Sequence, residues 1–407
     1  MNFNAMYNND IIKNRDIVIV GQQPWDTEIG SNCKNIALEF SKNNRVLYVN
    51  SPLDRISKLK HKADPKIKKR VAVINKTEDS ILTIKENLWN YYPDIIIESI
   101  NWIKNDFIYD RLNKINNKRF ARSILRAISR LGFKDIILFN DDDIFRCFYL
   151  KEFLKPSISV YYSRDYLLAV DYWKVHGSKL EPLLIKKSDI CVANSTYLAN
   201  YCKQYNKNSF YVGQGCELET FILQNDIPEP GDISNIPKPL IGYVGALQSI
   251  RLDINLLEQI AREKPEWNIV LVGPEDDAFK QSNLHRIPNI YFLGPKNPAE
   301  LPAYIQSFNV CINPQIVNEV TIGNYPRKID EYLATGKPVV ATKTEGMSIF
   351  SDYVYLATSK EDYIDMITKS LEENDTYLKK TRVDFAMSHT WENSVNEIYK
   401  SINTLTK

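Results

Sequence analysis

Cysteine is scarce in this chain, with six in 407 residues, and no two of them form a Cys-x-x-Cys pair. Cys33, Cys147, Cys191, Cys202, Cys216 and Cys311 therefore read as scattered buried thiols in a reducing cytoplasm. That excludes a disulfide framework and a structural zinc site. No apolar run has the length needed to span a bilayer. The opening MNFNAMYNNDIIKNRD lacks the apolar stretch of a secretory signal. GxxxxGK[ST], HExxH and a nucleophile elbow are all missing, and Gly213-Gln214-Gly215 is too short for a GxGxxG fingerprint. These absences remove P-loop, zinc-protease and serine-hydrolase chemistry.

What is present is a globular composition, 44% hydrophobic and 25% charged. The length suits two domains rather than one core. The net charge of +2 conceals an asymmetry: residues 1–200 hold 32 Lys+Arg against 23 Asp+Glu, and the remainder 20 against 27. The first half is expected to face something anionic.

The most informative stretch is Asn313–Thr342, NPQIVNEVTIGNYPRKIDEYLATGKPVVAT. Asn324 and Pro326 are a cap and first-turn residue for a helix, Ile329, Tyr332 and Leu333 its apolar stripe, and Gly336 its left-handed close. Val339-Val340-Ala341 follows as a buried strand. Arg327, Lys328 and Glu331 share one face near the helix start, where free amides favour an anion. The pattern suits a nucleotide-sugar: cations for the diphosphate, a carboxylate for the ribose hydroxyls. An ordinary surface ion pair reads equally from the helix alone.

Pro326, Lys328, Glu331-Tyr332-Leu333-Ala334 and Gly336-Lys337-Pro338-Val339-Val340 together resemble the donor-site signature of GT-B glycosyltransferases. The nearest likeness is to the retaining family 4 and related polysaccharide-assembly enzymes. Those relatives often carry a second glutamate eight positions before the ribose-binding one. Here that position is Gly323, and the nearest upstream acid is Glu319. The resemblance implies an α/β fold of two Rossmann-like doubly wound domains facing a cleft, with a C-terminal helix crossing back to the first. It also implies a nucleotide-sugar donor, UDP-sugar ahead of GDP-sugar, with no tightly bound cofactor and no metal.

In chain order, Asp16–Gly21 and Val46–Val49 are parallel strands around a helix containing Ile36, Ala37 and Phe40. Trp25, Asp26, Gly30 and Ser31 lie in the loop after the first strand, which the resemblance places near the acceptor. Arg55–Arg70 holds eight Lys/Arg against one Asp. Residues 110–134 set Ile124, Leu125, Ile128 and Leu131 among Arg122, Arg126 and Arg130. Both segments suit an anionic leaflet, while the second equally suits packing on the sheet. Neither segment has a nucleic-acid motif, so nucleic acid is not an expected partner. Asp141-Asp142-Asp143 could mimic a metal-binding Asp-x-Asp, but in this context reads as a polar loop at a strand end. Asp165, at the end of strand 157–162, is the candidate base toward an acceptor hydroxyl; capping the next helix is its plain alternative. Glu319 is the second catalytic candidate.

Pro228, Pro230, Pro237 and Pro239 mark a linker. The expected division is an acceptor domain at 1–224, a linker at 225–239, a donor domain at 240–385 and a crossing helix at 386–407. Gly245, Gly273 and Gly294 end three strands of the second half. With Arg251, Tyr325, Pro326, Arg327, Lys328 and Glu331 they make up the expected donor site. The reading is a cytoplasmic glycosyltransferase, peripheral on the inner membrane face, with a glycan or lipid-linked acceptor in surface polysaccharide synthesis. A GT-B nucleotide-sugar epimerase and a non-catalytic glycan- or partner-binding relative are the alternatives.

Overall fold

The computed structural model describes residues 11–27, 31–222 and 227–405. It divides into two compact units, Met1–Gly213 with Trp391–Lys407, and Gln214–Thr390. The strands of the first unit are β1 Asp16–Gly21, β2 Arg45–Val49, β3 Leu53–Asp54, β4 Ile81–Lys85, β5 Leu88–Tyr91, β6 Ile96–Ile97, β7 Ile137–Asp141, β8 Ile158–Ser163, β9 Ile190–Ala193 and β10 Ser209–Tyr211. Among the described residues they form an eight-stranded sheet in the order β10-β9-β8-β7-β1-β2-β5-β4, with β3 paired to β6 apart from it. Only the β4–β5 pairing in that sheet is antiparallel. Ile17–Val20 is buried on both sides, which explains its continuous apolar reading.

Alternation along β1 feeds two cores. Ile17 and Ile19 join Ile36, Ala37 and Phe40 of helix Asn32–Phe40 and Trp391, Val395, Ile398 and Tyr399 of helix Trp391–Asn403. The chain's last helix therefore belongs to the first unit. Val18 and Val20 face Phe120, Ile124 and Ala127 of helix Asp106–Leu131. Asn105 caps that helix by accepting from the Ile108 amide, and Gly132, at φ 63°, closes it. Its stripe, including Ile124, Ile128 and Leu131, packs toward the sheet, and Leu125 alone of the four points outward. Arg126 and Arg130 lie outside in ion pairs with Asp94 and Asp79.

The second unit contains β11 Leu240–Val244, β12 Asn268–Val272, β13 Ile290–Gly294, β14 Val310–Asn313, β15 Val339–Thr342 and β16 Tyr355–Ala357. They pair in parallel, in the order β13-β12-β11-β14-β15-β16. Chain order reverses between β11 and β14, as it does between β1 and β7 in the first unit. In open parallel sheets a ligand crevice forms outside the strands' carboxyl ends at that reversal. The proline-rich stretch expected as a linker is docked on this unit: Ile233 and Ile236 are buried in its core, as are the earlier Cys216, Leu218 and Phe221. The apolar residues spaced between the prolines carry that packing.

On β11 a side chain at Gly242 would stand 2.1 Å from the Phe308 ring. Gly242→Ala is expected to destabilise the protein by about 1–3 kcal/mol or more through overpacking, read as a lower urea midpoint.

Candidate functional site

At the reversal point of the second unit the carboxyl ends of β11 and β14 open onto a pocket of about 400 Å³. Its lining includes Gly245, Arg251, Asn313, Gln315, Lys328 and Glu331, with Tyr325, Pro326 and Arg327 beside them. Arg251 is fixed through its backbone. Its amide donates to Gln248 and its carbonyl accepts from Ile316, both at 2.9 Å, and neighbouring Leu252 bridges to Gln315. Arg251 thus stands over the gap between the two strands.

The helix carrying Lys328 and Glu331 is Lys328–Ala334, shorter than its sequence pattern predicts. Arg327 occupies the cap position with helical backbone angles and gives no side-chain cap bond, so Asn324 does not cap it. Two turns carry a small dipole, and the full charges dominate the local field. Gly336, at φ 71°, closes the helix as expected. On its inner side buried Asp330 accepts from the Tyr325 hydroxyl at 2.8 Å and contacts His389 Nδ1 at 2.7 Å. Tyr325 therefore braces the helix from behind.

Lys328 Nζ lies 3.9 Å from the centre of the Tyr243 ring and donates to that tyrosine's hydroxyl. Burial pushes the ammonium down to about 7; Glu331 opposes the shift and Arg251 adds to it. Glu331 is pushed up by its own burial, against the pull of Arg327 and Lys328. The space for the ammonium exists because Gly245 has no side chain: a Cβ there would sit 2.7 Å from Lys328 Nζ. Gly245, at φ 138°, also has a backbone that side chains rarely adopt. Gly273, at φ 149°, could not carry a Cβ either, which would meet the Gly245 carbonyl oxygen at 2.0 Å. The Gly273 amide donates to the Gly294 carbonyl at 2.9 Å. The three glycines thus build the strand edge, and of them Gly245 lines the pocket.

Several polar atoms of this pocket lack protein partners among the described residues: Asn313 Nδ2 and Oδ1, Gln315 Oε1 and Arg327 Nε, all buried. Buried polar atoms are nearly always paired, so four in one pocket point to a polar ligand. The sequence reading missed Asn313, Gln315 and Tyr243. Asn-Pro-Gln directly after a strand was a usable signal for the first two; Tyr243, inside an apolar strand, looks like core. Glu319 is exposed on the turn after Asn318 and does not line the pocket.

In the first unit, Asp165 stands two residues past the end of β8 and forms an ion pair with Arg164 at 2.8 Å. Val170, not Asp165, precedes the next α-helix, Asp171–Lys187. Trp25 packs edge-on against Tyr48 at 5.0 Å, and its amide donates to Asn50 at 2.8 Å. Asp26 is held by Arg70 at 2.9 Å. Ser31 caps helix Asn32–Phe40, and Gly30 lies outside the described residues. Asp141, the last residue of β7, and the following Asp142 and Asp143 are buried and engaged by protein groups: Asp141 with Arg164, Asp142 with Tyr161, and Asp143 with Arg146. His176 is buried and stacks on Tyr109 at 3.5 Å.

Two Rossmann-like units, with the last helix returned to the first, define a GT-B glycosyltransferase fold. Solved structures with this fold cover nearly the whole chain. Sucrose-phosphate synthase of Thermosynechococcus elongatus aligns with 97% of it and 99% of its own length, at TM-score 0.63 and 12% identity. Anabaena HepE, solved with UDP and glucose, covers 96% of this chain and 100% of its own at TM-score 0.61 and 13% identity. Trehalose 6-phosphate synthase of Burkholderia multivorans covers 97% and 99% at TM-score 0.64 and 9% identity. Residues 238–373, within the second unit, match the family of glycosyl transferases, group 1. A Bacillus subtilis protein, named as a teichuronic acid biosynthesis glycosyltransferase, TuaH, is 28% identical over 230 residues. That alignment spans 53% of this chain and 57% of the relative, little more than half of either.

Gly245→Ala should displace the Lys328 ammonium from its niche. NMR of lysine labelled with carbon-13 at Cε is expected to show a group titrating near pH 7 in the parent and shifted toward ordinary lysine values in the variant. Lys328→Arg assigns the signal by removing it.

Proposed function

We propose that this chain is a metal-independent glycosyltransferase that moves a sugar from a nucleoside-diphosphate sugar, a UDP-sugar in preference to a GDP-sugar. The acceptor would be a glycan or lipid-linked glycan of a surface polysaccharide. The observation that carries the proposal is the pocket at the β11/β14 reversal, where Arg251, Arg327, Lys328 and Glu331 meet side-chain amides that lack partners among the described residues. The group 1 match of the second unit, the name of the Bacillus relative and the UDP bound by HepE support the same reading.

In this reading Arg251 and Lys328 hold the diphosphate. They stabilise it as the sugar leaves and negative charge grows on the phosphate oxygen. Their value lies in being set before the reaction: Lys328 is already desolvated, so the incoming charge meets it in a medium of low polarity. Glu331 accepts from the ribose hydroxyls, and Asn313 and Gln315 complete the polar lining. The first unit supplies the acceptor side. There Asp165 is the candidate base, and Trp25 and the loop after β1 stand near the acceptor. Peripheral attachment to the anionic inner face of the cytoplasmic membrane is assigned to residues 55–70 and 110–134. Lys58, Lys60 and Lys62 beside exposed Ile56 and Leu59 support the first segment. The second offers its arginine rim, since its apolar stripe packs inward. Among the described residues no helix is long and apolar enough to cross a membrane.

Glu331→Ala is expected to weaken UDP binding in calorimetry by about 1.5–3 kcal/mol, or about ten- to hundredfold; unchanged affinity would remove the ribose role. The pH dependence has a definite sign. Free Lys328 titrates at about 7, whereas a bound diphosphate holds it protonated. Binding above that pH must therefore take up a proton. UDP affinity is expected to fall as pH rises from 7 to 9, by up to about tenfold per pH unit. Calorimetry in buffers of different ionisation enthalpy at pH 8 would detect the proton uptake.

A further inference from the structure

The first unit holds a second and larger concavity, a groove of about 670 Å³ at the carboxyl edge of its sheet. Segments following β2, β6, β7 and β8 form its walls, and none of the residues assigned to the donor pocket or as candidate base lines it. Trp102, Tyr109, Phe145, Tyr172 and Trp173 are all in the lining. Trp102 is 74% exposed and Tyr172 57% exposed, an unusual state for large aromatic rings on a protein surface.

These rings are fixed in place. The Trp102 indole N–H donates to the Ser99 carbonyl at 2.9 Å, which orients the ring. Asn101 Nδ2 donates to the Tyr172 carbonyl at 2.9 Å and ties the two walls together. Trp173 stacks on Phe145 at 5.1 Å, and Tyr172 stands perpendicular to Trp173 at 5.2 Å. Rigid rings are suited to the flat C–H faces of a pyranose.

Polar groups stand between the rings. Asn113 is 3% exposed, and its Nδ2 has no hydrogen-bond partner among the described residues; Asn101 Oδ1 is likewise unpartnered. Both residues line the groove. A buried amide left without a partner costs stability unless something else bonds it. A hydrocarbon chain would leave both atoms unsatisfied, whereas sugar hydroxyls can donate and accept. The amides therefore decide between a lipid tail and a glycan in favour of the glycan.

We infer that this groove binds a pyranose residue of a glycan, with Trp102 and Tyr172 as stacking platforms and Asn101 and Asn113 as hydroxyl partners. The inference rests on the glycosyltransferase reading in one respect: it makes the bound glycan the acceptor. The groove would then hold the acceptor chain by its non-reacting sugars and set which polysaccharide is extended.

The test uses the full chain on an array of short hexose, N-acetylhexosamine and hexuronate oligosaccharides, with phosphatidylglycerol vesicles in parallel. The probed residues, Trp102 and Tyr172, are exposed, so Trp102→Ala and Tyr172→Ala should fold normally, checked by an unchanged UDP affinity in calorimetry. The expected result is retention of one oligosaccharide class by the parent, weakened at least tenfold in both variants. Equal retention by parent and Trp102→Ala would overturn the inference, as would a parent that retains no oligosaccharide. Vesicle binding lost in Trp102→Ala without any oligosaccharide retained would overturn it in favour of a lipid-facing surface. A parent that binds oligosaccharide through these rings but not UDP would leave the groove standing and count against the donor reading alone.

Discussion

Lys328 is a cation held where water would normally stabilise it. Its ammonium rests on the Tyr243 ring and hydroxyl, in a space that exists only because Gly245 lacks a side chain. Gly245 in turn lies against Gly273, whose missing Cβ lets the two strand ends approach. A desolvated ammonium with a lowered affinity for its proton gains by meeting an anion. The arrangement thus stores a preference for negative charge at the one edge of the second sheet where its topology opens a crevice. Asn313, Gln315 and Arg327 surround that point with polar atoms that lack partners among the described residues.

The first unit repeats the topology and fills its reversal point differently. Gly21 and Asp141 end the two neighbouring strands in register, and Asp141 pairs with Arg164 across to the end of β8. Behind them the Tyr161 hydroxyl lies 2.8 Å from both Asp142 and Glu181. Two buried carboxyl groups this close to one hydroxyl disfavour ionisation of both at once. Burial raises both, Glu181 to about 7. This is a closed charge network, in contrast to the open set of groups in the second unit. It makes the Arg164–Asp165 corner rigid, and the larger aromatic groove lies apart from it.

Much of the second unit was legible in the sequence because three of its strands are short apolar runs ending in glycine and its key helix carries a spaced set of charges. Gly245 and Gly273 could be picked out as strand-end glycines, but their reason could not. The structure supplies it: Lys328 approaches the first closely, and the end of a neighbouring strand approaches the second. Asn324 looked like a cap, yet the chain enters the helix only after Pro326, and the cap position falls on Arg327. Residues 225–239 read as a linker because four prolines mask two buried isoleucines. Ser31 and Asp26 looked like loop residues free for an acceptor; one caps a helix and the other holds Arg70, contacts that join positions distant in sequence or set by local geometry. The aromatic groove was invisible for the same reason, since its lining comes from four separated segments.

The most direct measurement is a crystal structure of the full chain with UDP. The account expects the diphosphate within hydrogen-bond distance of Lys328 and Arg251, with a ribose hydroxyl on Glu331. UDP bound elsewhere, or bound with Lys328 still donating to Tyr243 and touching no phosphate oxygen, would contradict it.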